Sequence, residues 1–336
     1  MSEENCFFSI VVPAYNAGQY IEACVNSLER QTLRRDYYEI IVVNDGSTDD
    51  TRDKVESLSH LYDNLILVNQ ENLNIGGARN TGIRASRGKY VLFCDADDSI
   101  VYSDALAVLK KYLEQHPVRL LKSRSYTSIF EIKDTNLLFA KLIEVKLMTS
   151  KEYLLSEYFS YPVWNGVYKR DLFTNDRIYF SEKCFYEELD FSVRVAHVIT
   201  DENNVGVCEF PFYGYCENEK SATHELRGRM FFDNLKALIR LMQFAKDTEA
   251  LDIEISQFVY LRCRTNLISL SRRMYRYKWG KDEFFKAIKK WKLCVKMYFS
   301  LTNDTRGIFS SEILIAFYNF IMRLLLLTKR RVLIKR

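Results

Sequence analysis

Acidic residues in this chain gather in short islands at the ends of apolar runs, an arrangement suited to phosphate chemistry. Asn44-Asp45-Gly46-Ser47 follows Ile40-Ile41-Val42-Val43, and Asp95-Ala96-Asp97-Asp98 follows Tyr90-Val91-Leu92-Phe93-Cys94. Glu187-Glu188 comes later, and Pro13-Ala14-Tyr15-Asn16 precedes them all. A short apolar run ending abruptly in acid and Gly or Ser reads as a buried parallel strand opening into a loop. In an open α/β sheet that edge is where ligands bind. Carboxylates gathered there repel one another unless a cation sits among them. A divalent metal carrying phosphates meets the need, because Mg2+ and Mn2+ take hard oxygen ligands. Each island alone has a plainer reading. An acidic strand end can be a turn plus a helix N-cap, Asp45-Gly46 a tight turn, and Glu187-Glu188 carboxylates favoured by a helix N-terminus. Their occurrence together, in this order, points to chemistry.

Alternating strands and helices must position these islands. The spacing predicts strands at residues 8–12, 40–43, 65–68 and 90–94. Between them fall helices at 20–31, 49–61 and 76–86, and a fourth at 103–115 is stopped by Pro117. Tyr20, Ile21, Cys24, Val25 and Leu28 share one helical face. Ser47 or Thr48 is placed to cap the second helix, and a Gly76-Gly77 turn leads into the third. Such alternation implies an α/β fold with a parallel sheet covered on both faces. From residue 118 the pattern is mixed: a helix capped by Ser150 running to about 159, a helix at 187–199, and a strand-like stretch at 205–215. After residue 221 the pattern is helical, with no internal repeat or low-complexity linker.

With 336 residues the chain has room for a catalytic domain plus an appendage. Met1-Ser2-Glu3-Glu4-Asn5 is acidic where a secretory signal is basic. The eight Cys form no CxxC pair and read as reduced core thiols in a cytosolic protein. Charge is uneven. Residues 271–336 hold 17 Lys/Arg against four acids, a net +13, so −9 of the overall +4 falls on residues 1–270. An acidic body with a basic end suggests two kinds of partner.

Further blocks join the islands: Ser9-Ile10-Val11-Val12 ahead of Pro13, Gly76-Gly77-Ala78-Arg79-Asn80-Thr81-Gly82, Trp164-Asn165-Gly166-Val167-Tyr168, and Phe185-Tyr186-Glu187-Glu188-Leu189-Asp190. In this order and spacing, over about residues 7–225, the chain resembles glycosyltransferase family 2, inverting enzymes of GT-A fold. The resemblance implies a Rossmann-like, mostly parallel sheet flanked by helices. Residues 1–225 would form the catalytic domain, with 7–117 the nucleotide-sugar half and 118–225 the acceptor half, and 226–336 a helical extension. It implies that Pro13, Ala14 and Tyr15 frame the nucleobase and that Asp45 bonds its edge. Arg79 would lie near the nucleotide, where a guanidinium offsets diphosphate charge. Asp95 and Asp97 match the DXD motif, with Asp97 the direct ligand of Mn2+ or Mg2+ and Asp95 at the ribose or the metal's water shell. Asp98 would meet the donor sugar, Trp164 the acceptor, and His224 the metal shell. The family's usual Glu-Asp pair is Glu187-Glu188 here, which makes Glu188 the general base and Glu187 its rival. Where many relatives carry Arg in the closing segment, this chain has Cys216 to Lys220.

Residues 281–300 place Phe284, Ile288, Trp291, Val295 and Tyr298 at spacings of four, three, four and three among lysines. With Tyr275, Tyr277 and Trp279 nearby, this reads as a basic amphipathic helix on a membrane surface; the competing reading is a helical bundle with a solvated Lys face. The apolar stretch at 313–327 is too short and interrupted to span a bilayer. Helical periodicity of the aromatics argues against nucleic acid. The expectation is a metal-dependent, inverting transferase on the cytoplasmic face of the membrane. It would move a sugar from a nucleotide donor, a UDP-sugar, to a lipid-linked or growing surface-polysaccharide acceptor. Its rivals are a protein or teichoic-acid glycosyltransferase and a non-catalytic nucleotide-sugar-binding scaffold.

Overall fold

The computed structural model describes residues 6–124, 127–128, 144–199, 204–216, 228–273 and 281–302. They belong to two compact units, residues 1–219 and 220–336. The first unit runs β1 (Phe8–Ala14), α1 (Ile21–Glu29), β2 (Tyr38–Asp45), α2 (Thr51–Ser59), β3 (Leu65–Gln70), α3 (Asn74–Ala85) and β4 (Tyr90–Phe93). It continues β5 (Ser99–Ile100), α4 (Ala105–Gln115), β6 (Leu120–Ser123), β7 (Thr127–Ser128), β8 (Lys146–Met148), α5 (Ser150–Leu155) and β9 (Gly166–Lys169). It closes with α6 (Asp171–Thr174), α7 (Glu187–Val198), β10 (Val205–Cys208) and β11 (Tyr213–Tyr215).

Eight strands form one sheet in the order β3-β2-β1-β4-β9-β6-β10-β8. Every residue of β1 and β2 is buried, as continuous apolar strands covered on both faces should be. The pairs β3-β2, β2-β1 and β1-β4 are parallel, as expected. Beyond β4 the sheet, expected to be mostly parallel, becomes mixed, although β6 and β10 again pair in parallel. β9 inserts antiparallel between β4 and β6, and β8 lies antiparallel on β10. The strand-helix alternation that justified parallel pairing ends before these strands, so tertiary pairing sets their direction. β5, β11 and β7 form a second, small sheet.

Local corrections have plain causes. Ser47 and Thr48 do not cap α2: Ser47 Oγ accepts from the Asn16 amide at 3.0 Å, and the Thr48 amide donates to Asn16 Oδ1 at 2.8 Å. Asp49 takes the Thr51 amide instead, at 3.1 Å. α3 begins at Asn74, so Gly76 and Gly77 lie within its first turns. A Cβ on Gly76 would sit 2.5 Å from the Ser181 carbonyl oxygen, so close approach, rather than a turn, requires that glycine. α5 is capped by Thr149, which forms a capping box with Glu152. The stretch at 205–215 splits into β10 and β11 around Pro211, which has no amide hydrogen for a ladder.

The core lies between the sheet and its helices, with Ile10, Val12, Ile40, Val42 and Leu92 facing Ile21, Val25, Leu28, Leu106 and Leu109. At the strand ends away from the acidic turns, buried Glu39 accepts from Ser9 Oγ at 2.6 Å and from the Arg87 side chain at 2.8 Å. A carboxylate so deep requires partners of this kind.

The second unit contains α8 (Gly228–Glu249), α9 (Ile253–Arg273) and α10 (Lys281–Thr302), packed against one another. Here the membrane expectation for the aromatic stripe is corrected. Trp291, Val295 and Tyr298 are only 3%, 8% and 4% exposed, Ile288 is half-buried, and the Phe284 side chain lies outside the described residues. An amphipathic stripe fits a neighbouring helix as well as a bilayer, and here helices cover it. Tyr275, Tyr277, Trp279 and residues 313–327 also lie outside the described residues. Among those described, no helix is long and apolar enough to cross a membrane.

Gly82 gives a test of how tightly α3 rests on the sheet. A Cβ there would approach Val11 Cγ1 to 2.3 Å. Gly82→Ala is expected to lower unfolding free energy by about 1–3 kcal/mol through overpacking, read as a lower urea midpoint. An unchanged midpoint would disprove the close contact.

Candidate active site

The parallel register brings the C-terminal ends of β1, β2 and β4 to one edge of the sheet. Ala14 pairs with Asn44, and Asp45 with Gln70 of β3. Pro13 and Ala14 are buried at the end of β1, and Tyr15 beyond them is 54% exposed. Asp45 is buried, and its Oδ1 accepts from Gln70 Nε2 at 2.6 Å and from the Leu73 amide at 2.8 Å. Burial raises its pKa, and those hydrogen bonds oppose the rise. Gly46 then turns the chain at φ 74°, a conformation that favours glycine.

Asp95 to Asp98 form a turn after β4, closed by the Asp98 amide donating to the Asp95 carbonyl at 2.9 Å. Asp95 and Asp97 are half-buried. Asp98 is 3% exposed, and both its carboxylate oxygens are engaged inside the protein: by the Tyr213 hydroxyl at 2.5 Å and the Cys216 amide at 2.8 Å. Burial raises its pKa to about 8, with the negative charge of Asp95 adding to the rise. The structure therefore places Asp98, expected at the donor sugar, as a brace between this turn and β11. Tyr213 also accepts from the Asp95 amide at 3.1 Å, and its ring stacks on half-buried Trp164 with centroids 4.6 Å apart.

Arg79, on α3, is 1% exposed and joins the two ends of the site. Its Nη1 donates to Glu187 at 2.7 Å and to Glu188 at 3.0 Å, and its Nη2 to Asp95 at 2.9 Å. The guanidinium lies 5.4 Å from the centroid of the Phe180 ring. Burial works against its charge, but Asp95, Glu188 and Glu187 outweigh burial and hold it protonated. Both Nη atoms of Arg79, the residue expected beside the nucleotide, meet carboxylates.

Those two glutamates open α7, where the helix dipole favours negative charge. The Glu187 side chain is 5% exposed and that of Glu188 24%. Burial lifts Glu188 to about 7 against the pull of Arg79, and Glu187 and Asp95 add to the rise. Asp190 is a structural group, paired with Arg194 at 3.0 Å.

Sequence reasoning missed Lys122. On β6, it is 2% exposed, donates to the Pro162 carbonyl, and acts electrostatically on Glu188. Burial lowers its pKa to about 7. The signal was present as a lone Lys in the strand Leu120-Leu121-Lys122-Ser123. His224 lies outside the described residues. Among the described residues no three His, Cys, Asp or Glu converge as a ready-made metal site. Asp95 and Asp97 supply hard oxygen donors at one turn. That set suits a Mg2+ or Mn2+ ion that keeps its other positions for phosphate and water.

Residues 9–160 match the family described as Glycosyl transferase family 2. The glycosyltransferase EpsJ of Bacillus subtilis is 30% identical over 223 residues, 64% of this chain and 62% of that protein. TarS of Staphylococcus aureus, a poly(ribitol-phosphate) beta-N-acetylglucosaminyltransferase, is 31% identical over 223 residues, 54% of this chain and 39% of that one. The chain thus spans less than two thirds of the length of either. In fold it is similar to S. aureus TarS 1-349 in complex with UDP, with a TM-score of 0.60 at 19% identity, covering 93% of this chain and 89% of that one. It is also similar to the mannosyltransferase PcManGT of Pyrobaculum calidifontis in complex with GDP-Man and Mn2+, with a TM-score of 0.52 at 18% identity, covering 92% and 85%. Sheet, flanking helices and these likenesses establish the GT-A fold.

Removing Arg79 would leave three carboxylates without the guanidinium that they share. Arg79→Met is expected to cost about 3–5 kcal/mol of stability at pH 8. The loss should shrink toward pH 5, where protonation of Glu188, lifted to about 7, relieves the repulsion. Urea unfolding at both pH values measures it; equal stability of variant and wild type would show that the cluster does not depend on Arg79.

Proposed function

We propose that this chain, whose residues 9–160 belong to glycosyltransferase family 2, is a metal-dependent, inverting glycosyltransferase. It would transfer a sugar from a UDP-sugar to a lipid-linked or growing surface-polysaccharide acceptor. The observation that carries this reading is the Arg79 cluster, which holds Asp95 of the donor-side turn and Glu187-Glu188 of α7 around one cation. An inverting displacement needs such an arrangement, with leaving-group chemistry on one side of the anomeric carbon and a base on the other.

In this reading Pro13, Ala14, Tyr15 and Asp45 hold the nucleobase, and Asp95 and Asp97 hold Mg2+ or Mn2+. When bound, the metal supplies positive charge for the departing diphosphate. Glu188 accepts the proton of the attacking hydroxyl. Its pKa of about 7 suits a base working near neutrality, and its greater exposure favours it over Glu187. Trp164 offers an aromatic face to the acceptor sugar and is steadied by Tyr213. The nucleotide-bound states of the TarS and PcManGT structures support a nucleotide-sugar donor. The likeness to TarS favours a second reading of the acceptor, a poly(ribitol-phosphate) chain. The net +13 of residues 271–336 supports work at the cytoplasmic face of a membrane.

UDP release from a panel of UDP-sugars, with and without Mn2+, tests the proposal. Turnover should depend on the metal and rise with pH through about 7, because the base works deprotonated. Glu188→Gln keeps the shape of the side chain and should lower kcat by about 10²- to 10⁴-fold without that pH limb. Full activity in Glu188→Gln, with loss in Glu187→Gln, would move the base by one residue. No metal-dependent release from any donor would refute the function.

A further inference from the structure

With Trp291, Val295 and Tyr298 turned into the helical unit, the membrane reading needs another surface. α10 provides one on its opposite side. At 100° per residue, Phe285, Lys289, Leu293 and Lys296 fall in a narrow strip facing away from Ala287, Trp291, Cys294 and Tyr298. Phe285 and Leu293 are 64% and 62% exposed, and Lys286, Lys289, Lys290, Lys292 and Lys296 are all exposed. No acid occurs from Phe284 to Thr302. Glu283, at the start of the helix, has its carboxylate against Gly228 of α8.

We propose that the outward strip of α10 docks on an anionic phospholipid surface, with Phe285 and Leu293 entering the headgroup boundary and the surrounding lysines pairing with lipid phosphates. This rests on the membrane-side reading above and names the surface that carries it. Charge complementarity selects the occupant, because Lys286, Lys289, Lys290 and Lys296 repel one another along one helix and an anionic bilayer neutralises them together. The two apolar side chains select a bilayer over a soluble polyanion, which has no apolar interior to receive them. They lie two helical turns apart, so both reach the same plane when the helix lies flat.

The test is co-sedimentation of the full chain with phosphatidylglycerol/phosphatidylcholine vesicles and with pure phosphatidylcholine vesicles. The wild type should bind the anionic vesicles only and dissociate at high salt. Phe285→Ser/Leu293→Ser and Lys289→Gln/Lys296→Gln should each weaken binding by about tenfold or more. Both alter exposed positions, so circular dichroism and donor hydrolysis should stay at wild-type levels and report a folded protein. Wild-type binding that both variants retain would overturn the α10 surface while leaving the membrane reading intact. No binding by the wild type would overturn both. If soluble polyphosphate binds as tightly as vesicles and Phe285→Ser/Leu293→Ser changes neither, the strip is a polyanion site and the lipid assignment fails.

Discussion

One buried guanidinium organises this molecule's candidate chemistry. Arg79 touches Asp95, Glu187 and Glu188, residues 16, 108 and 109 positions away in the chain. Taken alone, each carboxylate would disfavour the fold, since burial raises the cost of its charge. Gathered on one cation, they become mutually dependent: removing any member changes the charge felt by the others. The Asp95 turn and the start of α7 are therefore fixed relative to one another by an ion cluster rather than by a continuous strand or helix.

The same logic operates at the opposite end of the strands. Glu39, with no exposure, is matched by Ser9 and Arg87. That pair fastens β1, β2 and the approach to β4 at one end, and the Arg79 cluster fastens β4 to α3 and α7 at the other. Between them the strands are apolar and continuous, so the sheet transmits position without polar interruption. Asp98 extends the arrangement: its bond to Tyr213 ties the turn that carries Asp95 and Asp97 to β11 and, through ring stacking, to Trp164.

Sequence reasoning located β1 to β4 and α1 to α4 because continuous apolar runs and amphipathic periods are local signals. It did not reach β9 and β8, whose places and directions depend on partners far along the chain. It named Asp95, Glu187 and Glu188, which the fold gathers on Arg79, and it was silent on the internal partners of Asp98 and Arg79. Asp98 and Arg79 have the residue types of ligand contacts, yet their partners lie inside the protein, and spacing carries no record of that. Lys122 was passed over because no strand was read at 120–123, and its burial depends on partners distant in sequence. The stripe at 284–298 was correctly seen as amphipathic, but periodicity says that a face is covered and never by what. Here other helices cover Trp291 and Tyr298.

Gly76 and Gly82 flank Arg79 at three-residue spacing, so all three fall on adjoining parts of the α3 surface. A single added carbon at Gly76 would strike the Ser181 carbonyl and crowd Glu187; one at Gly82 would strike Val11. At these two points the helix rests on its neighbours through hydrogen atoms alone. These two bare contacts leave α3 little room to shift beside the charge cluster. A side chain as long and jointed as arginine, usually the least rigid of anchors, is here held by a mount with almost no play.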